Sequence, residues 1–377
     1  MIDNKIWKGL IGRASKAGRF AETVLRARIL CRIPALYETL EIHPTSCTAM
    51  ITNRCDLKCI MCKQWRRPKS EETEMTAEGW KGIIDDLRMS GIRNIHFTGG
   101  EPLLRKDLSD IIAYASAAGF TVGLTTNGMN LDWETMRSLS DAGLRSIALS
   151  MDALDDEYSR IRGIPGSFDK VKTAAFLISE MRRSKGLDAS INYTLMKDTM
   201  RGFCDLKEFA DTLDLPVSIC LLDKNSSIFN VEKNRTDFWV CGDDECAELD
   251  RILDFIRHEK IRAPGSLLLN FPMIDYIKDY FRNPRQVEIP CVISQDRIII
   301  DPYGNLLGGC MSMGTYGNLS ENSFRTLCEN EKYKAAKKKM FYKVCAVCSC
   351  GYQFNIRCMP FLAVKDMAER VACLVKG

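Results

Sequence analysis

The sequence predicts an α/β fold built around a parallel β-sheet, followed by a small cysteine-rich domain at the C-terminus. The first observation is that short apolar runs alternate with helical patterns from residue 46 to residue 222. Such alternation is typical of parallel strands joined by crossover helices. The second is that glycine-rich or polar motifs follow several strands, where ligands bind in such sheets. The third is that eight of the 17 cysteines lie beyond residue 290.

The individual elements follow from apolar periodicity. Strand candidates are short apolar runs, and helix candidates carry apolar residues at helical spacing. The predicted strands cover residues 47–52, 94–98, 121–125, 146–150, 189–195 and 216–222. The predicted helices cover residues 76–90, 106–118, 132–142, 167–184 and 203–213. Beyond them we predict a loop from 223 to 240, a helix from 244 to 259 and a last helix from 359 to 377.

Residues 1–45 form a basic extension for which a helix is predicted. Its Lys and Arg residues interleave with apolar residues such as Ile6, Leu10 and Phe20. A basic amphipathic stretch can contact a membrane surface or dock on a partner. The more common alternative is a helix that covers the sheet and points its charges into solvent.

The composition is that of an ordinary folded chain and argues against several functions. Of 377 residues, 46% are apolar and 27% charged. A net charge of +4 gives no reason to expect a nucleic-acid partner. No apolar run approaches the ~20 residues of a membrane helix, and no secretory signal is visible. We therefore expect a cytoplasmic protein, whose cysteines indicate metal binding rather than disulfides.

The most informative motif is the C-x3-C-x2-C run of Cys55, Cys59 and Cys62, which follows the first predicted strand. Three thiolates can hold three irons of a [4Fe–4S] cluster, and the fourth iron is then open to a substrate or cofactor. A structural zinc site usually has four ligands. A disulfide would leave one of the three cysteines over. The spacing therefore favours an iron–sulfur cluster as the catalytic metal site.

A second motif, Gly99-Gly100-Glu101-Pro102, ends the second predicted strand. With the cysteine loop, it makes the chain resemble the radical S-adenosylmethionine (SAM) enzymes from about residue 47 to 222 and again near the C-terminus. The resemblance implies a partial (β/α)6 TIM-like barrel. It also implies that SAM binds the open iron and is reductively cleaved to a 5′-deoxyadenosyl radical, which abstracts a hydrogen atom from the substrate.

The resemblance further implies which residues contact SAM. The implied SAM-binding residues are Gly99, Gly100, Glu101, Asn127, Ser150, Asp152, Arg162 and Asn192. The glycine backbone would bind the amino group of SAM, and Arg162 would pair with its carboxylate. Taken alone, each residue also has an ordinary interpretation: a turn, a helix cap, a surface ion pair or strand packing.

The C-terminal cysteines predict a second metal site. A strand-like run and a turn at residues 301–305 separate Cys291 from Cys310, and a C-x2-C pair follows. This arrangement resembles the auxiliary domains called Twitch and SPASM. It favours one auxiliary [4Fe–4S] cluster with the ligands Cys291, Cys310, Cys345 and Cys348. Two alternatives stay open: a zinc site, and two clusters that also use Cys350, Cys358 and Cys373.

Together these observations divide the chain into four regions. They are a basic extension (1–45), a radical SAM barrel (46–222), a connecting region (223–290) and an auxiliary-cluster domain (291–377).

An auxiliary cluster with four protein ligands can accept an electron from a substrate radical. We therefore expect an oxidoreductase that uses a flavodoxin- or ferredoxin-like one-electron reductant. The layout of a six-unit barrel with a single-cluster tail resembles that of a Twitch-type dehydrogenase, which implies a small carbohydrate-like or cyclitol-like substrate. One alternative is a peptide-modifying maturase, although 45 residues before the barrel are few for a leader-binding domain. The others are an enzyme that acts on a lipid-linked substrate and a non-enzymatic redox sensor or electron carrier.

Overall fold

One sheet of seven parallel strands organises the protein. The computed structural model describes residues 25–26, 29–30, 33–40, 42–66, 74–222, 238–240, 242–282, 291–311 and 313–342. The strands are β1 (Ser46–Thr52), β2 (Asn94–Gly99), β3 (Thr121–Thr126), β4 (Ser146–Ser150), β5 (Asp188–Leu195), β6 (Val217–Leu221) and β7 (Arg297–Ile300). Their order is β6-β5-β4-β3-β2-β1-β7, and every neighbouring pair is parallel.

Helices connect the strands and cover the outside of the sheet. They are α1 (Ala77–Met89), α2 (Leu108–Ala117), α3 (Trp133–Asp141), α4 (Asp155–Arg162), α5 (Ser167–Lys185), α6 (Phe203–Thr212), α7 (Asp243–Arg262), α8 (Phe271–Arg282), α9 (Ile293–Asp296), α10 (Phe324–Glu329) and α11 (Glu331–Tyr342). In α1, Thr76 accepts a hydrogen bond from the Gly79 N–H at the N-terminus. None of the helices in the described ranges has an apolar stretch long enough to cross a membrane.

The sheet is a partial barrel, as the sequence predicts. Strands β6 and β7 are its two edges, and within the described ranges they do not pair with each other. All six predicted strands form, each within one residue of its predicted bounds. The five predicted crossover helices also form, and α7 confirms the helix predicted at 244–259.

The seventh strand differs from the prediction. The run Arg297–Ile300 was expected within a separate C-terminal domain, but it pairs with β1, with Ser46 opposite Arg297 and Ala49 opposite Ile300. The predicted turn at 301–305 forms after it, and the Leu307 N–H donates back to the Ile299 carbonyl (2.8 Å). A short apolar run has the same local pattern whichever sheet it joins, so its partner cannot be read from periodicity.

Helix α4 was not predicted, because it has only eight residues and its N-terminus carries no capping side chain. It ends at Gly163, which adopts the left-handed conformation. The helices predicted for most of residues 1–45 and for 359–377, and most of the loop predicted at 223–240, lie outside the described residues.

The strands have a buried outer face and a more accessible inner face. In β5, the alternate residues Ala189, Ile191, Tyr193 and Leu195 are buried against the helices. Between them, Ser190, Asn192 and Thr194 are half-buried and point into the barrel. The inner face is therefore polar and reachable from solvent.

Because β7 is part of the barrel sheet, Ile298→Ala should destabilise the whole barrel. Ile298 is fully buried opposite Cys47, so we expect a loss of about 2–4 kcal/mol in the free energy of unfolding. Leu268→Ala is the control, because Leu268 is 48% exposed. It should change stability by less than about 0.5 kcal/mol. Urea unfolding measures both, and equal effects would contradict the packing of β7.

Candidate active site

Cys55, Cys59 and Cys62 lie on one irregular loop after β1, called the cysteine loop here (residues 53–63). Cys59 is buried, and Cys55 and Cys62 are half-buried. The Gln64 N–H donates a hydrogen bond to Cys62 Sγ (3.3 Å). Burial raises the pKa of Cys55 to about 12, so its thiolate needs the positive charge of a bound metal.

The C-terminal end of α4 holds the cysteine loop. The N–H groups of Lys58 and Ile60 donate to the carbonyls of Arg162 and Ile161, both at 3.0 Å. A Cβ added at Gly163 would lie 2.5 Å from the Lys58 carbonyl oxygen. Only glycine therefore lets the helix end and the loop approach this closely.

Arg162 connects the loop to β4 and β5. Its Nη1 donates to Cys59 Sγ (3.6 Å), and its Nη2 lies 2.7 Å from Asp152 Oδ2, an ion pair whose angles are not those of a hydrogen bond. Asp152 Oδ1 accepts from the Thr194 N–H (2.8 Å). Both charged side chains are buried. Hydrogen bonds to cluster sulfurs help to set reduction potential, so Arg162 is placed to tune a cluster held here.

The glycine motif after β2 lies directly against the start of the cysteine loop. The N–H groups of Gly100 and Glu101 donate to the carbonyls of Thr52 and Arg54, both at 2.7 Å. An added Cβ would lie 2.3 Å from the Thr52 oxygen at Gly99 and 2.0 Å from the Arg54 oxygen at Gly100. These glycines thus let two backbone segments pack together, and the N–H groups of Gly100 and Glu101 already have partners.

Glu101 is fully buried and joins the ends of β2 and β3. Its Oε1 accepts from Thr126 Oγ1 (2.7 Å) and the Leu103 N–H (3.0 Å), and its Oε2 accepts from the Asn127 N–H (2.7 Å). Burial raises the pKa of Glu101 to about 7, although these three hydrogen bonds oppose the shift.

Asn127 binds the cysteine loop from the end of β3. Its Nδ2 donates to Asp56 Oδ1 (2.7 Å), and its Oδ1 accepts from the Met129 N–H (2.8 Å). Asn130 Nδ2 donates to the other Asp56 oxygen (2.6 Å). The Asn127 amide therefore has a partner at each end and orients the loop.

Ser150 and Asn192 occupy the inner face of the barrel, Ser150 as the last residue of β4 and Asn192 near the middle of β5. They are directly opposite each other in register, and Ser218 of β6 follows Asn192 in the same row. All three are half-buried. This row of small polar side chains offers hydroxyl and amide groups for hydrogen bonds to a ligand.

His96 also faces the inside of the barrel. Its Nε2 is 2.7 Å from Thr125 Oγ1. Burial and then the positive charge of Arg297 lower the pKa of His96 to about 4, so the imidazole is neutral at physiological pH.

Within the described part of the chain, no three His, Cys, Asp or Glu side chains are close enough to share one metal ion. A [4Fe–4S] cluster binds each thiolate to a different iron, so its ligands lie farther apart than those of one zinc ion. The three cysteines of the loop fit such a cluster. Cys59 Sγ accepts a hydrogen bond from Arg162, and Cys62 Sγ accepts one from the Gln64 N–H.

The second predicted metal site is described only in part. Cys291 precedes α9, and its N–H donates to the Phe341 carbonyl (3.1 Å). Cys310 follows the turn after β7. Cys345 and Cys348, and the alternative ligands Cys350, Cys358 and Cys373, lie outside the described residues.

Sequence reasoning missed five polar residues that hold the cysteine loop. They are Asn53, Asp56, Gln64, Glu74 and Tyr303. Asn53, Asp56 and Gln64 are within two residues of a loop cysteine, which is a weak signal for a positioning role. Glu74 and Tyr303 have no local signal, because their contacts with the loop are made across the fold.

A separate cavity of about 1200 Å³ lies at the amino ends of the strands, away from the cysteine loop. Its lining includes His43 and Pro44, which precede β1, and Met89 and Ser90 at the end of α1. It contains none of the predicted site residues.

Gly163→Ala should loosen the cysteine loop more than Gly166→Ala does. Both glycines are left-handed, with φ of 72° and 70°, but an added Cβ meets the loop only at Gly163. We expect the first variant to lose at least about 1 kcal/mol more in the free energy of unfolding, because it adds a clash to the backbone strain that both share. Urea unfolding tests this, and equal losses would contradict the close contact.

Glu101→Gln should remove a pH dependence of stability. The pKa of Glu101 rises from 4.5 to about 7 on folding. Between these two pH values, the folded state therefore keeps a proton that the unfolded state releases. The stabilisation that this bound proton gives the folded state is fully present below about pH 4.5 and is lost as the pH rises to about 7.

Over that window, the wild type should lose up to about 3 kcal/mol more than the variant in the free energy of unfolding. Urea unfolding of the apoprotein at several pH values measures the difference. Parallel curves for the two proteins would disprove the assignment.

The comparisons with known proteins agree with this geometry. Residues 50–210 match the Radical SAM superfamily. The Fe-coproporphyrin III synthase of Methanosarcina barkeri is 33% identical over 164 residues, which are 44% of this chain and 39% of that protein. The PqqA peptide cyclase of Xanthomonas euvesicatoria pv. vesicatoria is 33% identical over 301 residues, 76% of this chain and 74% of that protein.

A solved structure has the same fold. SuiB of Streptococcus suis bound to precursor peptide SuiA superposes with a TM-score of 0.63 at 16% identity, over 86% of this chain and 75% of that one. The chain spans less than half the length of several of the curated relatives that it matches. Its match to the Xanthomonas protein is longer and extends well beyond the barrel motifs. The chain therefore belongs to the radical SAM superfamily, and its cofactors are a [4Fe–4S] cluster and SAM.

Proposed function

We propose that this radical SAM enzyme modifies a peptide. The observation that carries the proposal is the 33% identity to a PqqA peptide cyclase over 76% of this chain. The solved structure of SuiB with a precursor peptide adds support, since it has the same fold. These findings favour the peptide-modifying alternative over the small carbohydrate-like substrate that the sequence analysis expected.

The inner face of the barrel suits a peptide substrate. It carries hydroxyl, amide and imidazole groups at half-buried positions on six strands: Thr48, Thr98, His96, Thr125, Ser146, Ser150, Ser190, Asn192, Thr194 and Ser218. A peptide backbone has a donor and an acceptor at almost every residue. The polar, solvent-accessible inner face can form hydrogen bonds with the backbone of the peptide while one side chain of the peptide is held near the cysteine loop.

We assign the residues of the site to two roles. Cys55, Cys59 and Cys62 hold the cluster, and Ser150, Asn192 and the backbone at Gly99 and Gly100 bind SAM. Glu101, Asn127, Asp152 and Arg162 have their side chains engaged with protein partners, so we assign them to positioning the loop and the strand ends. When bound, the cluster and SAM supply a one-electron reduction and a radical that abstracts a hydrogen atom.

The C-terminal cysteines complete the proposal. Cys291, Cys310, Cys345 and Cys348 hold an auxiliary [4Fe–4S] cluster that takes up an electron from the substrate. An external one-electron reductant supplies the SAM cluster. Net oxidation of the peptide follows from this arrangement, and the cytoplasm is the compartment that provides such reductants.

The test uses anaerobically reconstituted protein, SAM, dithionite and short peptides encoded beside its gene. We expect SAM cleavage together with a mass change in one peptide. The control is the variant with Cys55, Cys59 and Cys62 all changed to Ala, which should fall from about eight irons per chain to about four and should leave the peptide unchanged. Consumption of a cyclitol with every peptide unchanged would overturn the proposal.

A further inference from the structure

The C-terminal part of the chain contacts the cysteine loop through one buried amide. Asn53 is only 3% exposed. Its Nδ2 donates to the Tyr303 hydroxyl (2.9 Å), and its Oδ1 accepts from Gln64 Nε2 (2.5 Å). A buried amide that loses a partner is costly, so these two contacts fix the side chain.

The backbone at Asn53 is fixed as well. Its N–H donates to Glu74 Oε1 (2.7 Å), and the same carboxylate accepts from Thr52 Oγ1 (2.8 Å). Both Glu74 and Thr52 are buried. Asn53 is therefore a rigid point two residues before Cys55.

Gln64 connects Asn53 to Cys62, which is one of the proposed cluster ligands. Its side chain binds Asn53, and its backbone N–H donates to Cys62 Sγ (3.3 Å). Gln64 is only 2% exposed. A chain of three contacts thus leads from the Tyr303 hydroxyl to the sulfur of Cys62.

Tyr303 itself is held by a rigid turn. Its N–H donates to Asp301 Oδ1 (2.9 Å), and its carbonyl accepts from Asn318 Nδ2 (2.8 Å). The neighbouring Pro302 carbonyl accepts from the Met75 N–H (2.8 Å). The turn presents the hydroxyl to Asn53 in one orientation.

We propose that Tyr303 is a positioning residue for the SAM cluster, acting on Cys62 through Asn53 and Gln64. Tyr303 lies outside residues 50–210, the part of the chain that matches the family. It sits on the turn between Cys291 and Cys310, so the segment that carries the C-terminal cysteines also completes the site of the first cluster.

The test compares Tyr303→Phe with Tyr316→Phe in the anaerobically reconstituted full chain. Tyr316 is the matched control, because it is in the same segment and its hydroxyl donates to the Met313 carbonyl, away from the loop. The readout is the electron paramagnetic resonance signal that changes when SAM is added, followed during incubation with a ferrous-iron chelator. This signal reports the SAM cluster whichever substrate the enzyme uses.

We expect Tyr303→Phe to lose this signal about tenfold faster than wild type and to shift the midpoint potential of the same cluster, because an ordered donor to Cys62 is loosened. Tyr316→Phe should match wild type in both measurements. Equal behaviour of the two variants would overturn the proposal.

Gln64→Met provides an independent test that does not depend on how Tyr303→Phe folds. Methionine has nearly the same length and keeps the backbone N–H that donates to Cys62, but it cannot bind Asn53. We expect the same faster loss of the signal. The double variant should be no worse than either single variant, because both act through Asn53. Additive effects, or no effect of Gln64→Met, would contradict the chain of contacts.

Discussion

The cysteine loop between β1 and α1 makes few regular backbone hydrogen bonds of its own, yet it has to hold three thiols in a fixed arrangement. Backbone groups that are buried need partners, so the loop takes them from other parts of the fold. The end of β2 supplies donors to Thr52 and Arg54, and the end of α4 supplies acceptors for Lys58 and Ile60. The site is therefore as rigid as the packing of these elements against each other.

The close approach of these segments explains where glycine is required. Gly100 packs on the start of the cysteine loop, and Gly163 packs on its middle. In both cases a Cβ would collide with a backbone oxygen, which cannot move aside as a side chain can. These glycines determine how near the loop can come to the sheet, and hence where a cluster sits above the strands.

Buried charge supports the same geometry. Asp152 and Arg162 form a pair from which Arg162 also reaches the sulfur of Cys59. A lone buried charge is unfavourable, so each member depends on the other and on the Thr194 N–H. The pair keeps a positive charge next to a thiolate ligand, where it opposes the negative charge of a cluster.

The sequence by itself determined the parallel sheet, the six strand positions and the superfamily, and it predicted the three cluster cysteines, because each depends on local periodicity or fixed spacing. Only the tertiary structure placed β7 beside β1 and brought Tyr303 to Asn53, since such contacts join segments about 250 positions apart. It also gave the side chains of Glu101 and Asn127 their protein partners. A motif identifies which residue types are present, but the direction of a side chain depends on packing from several elements at once.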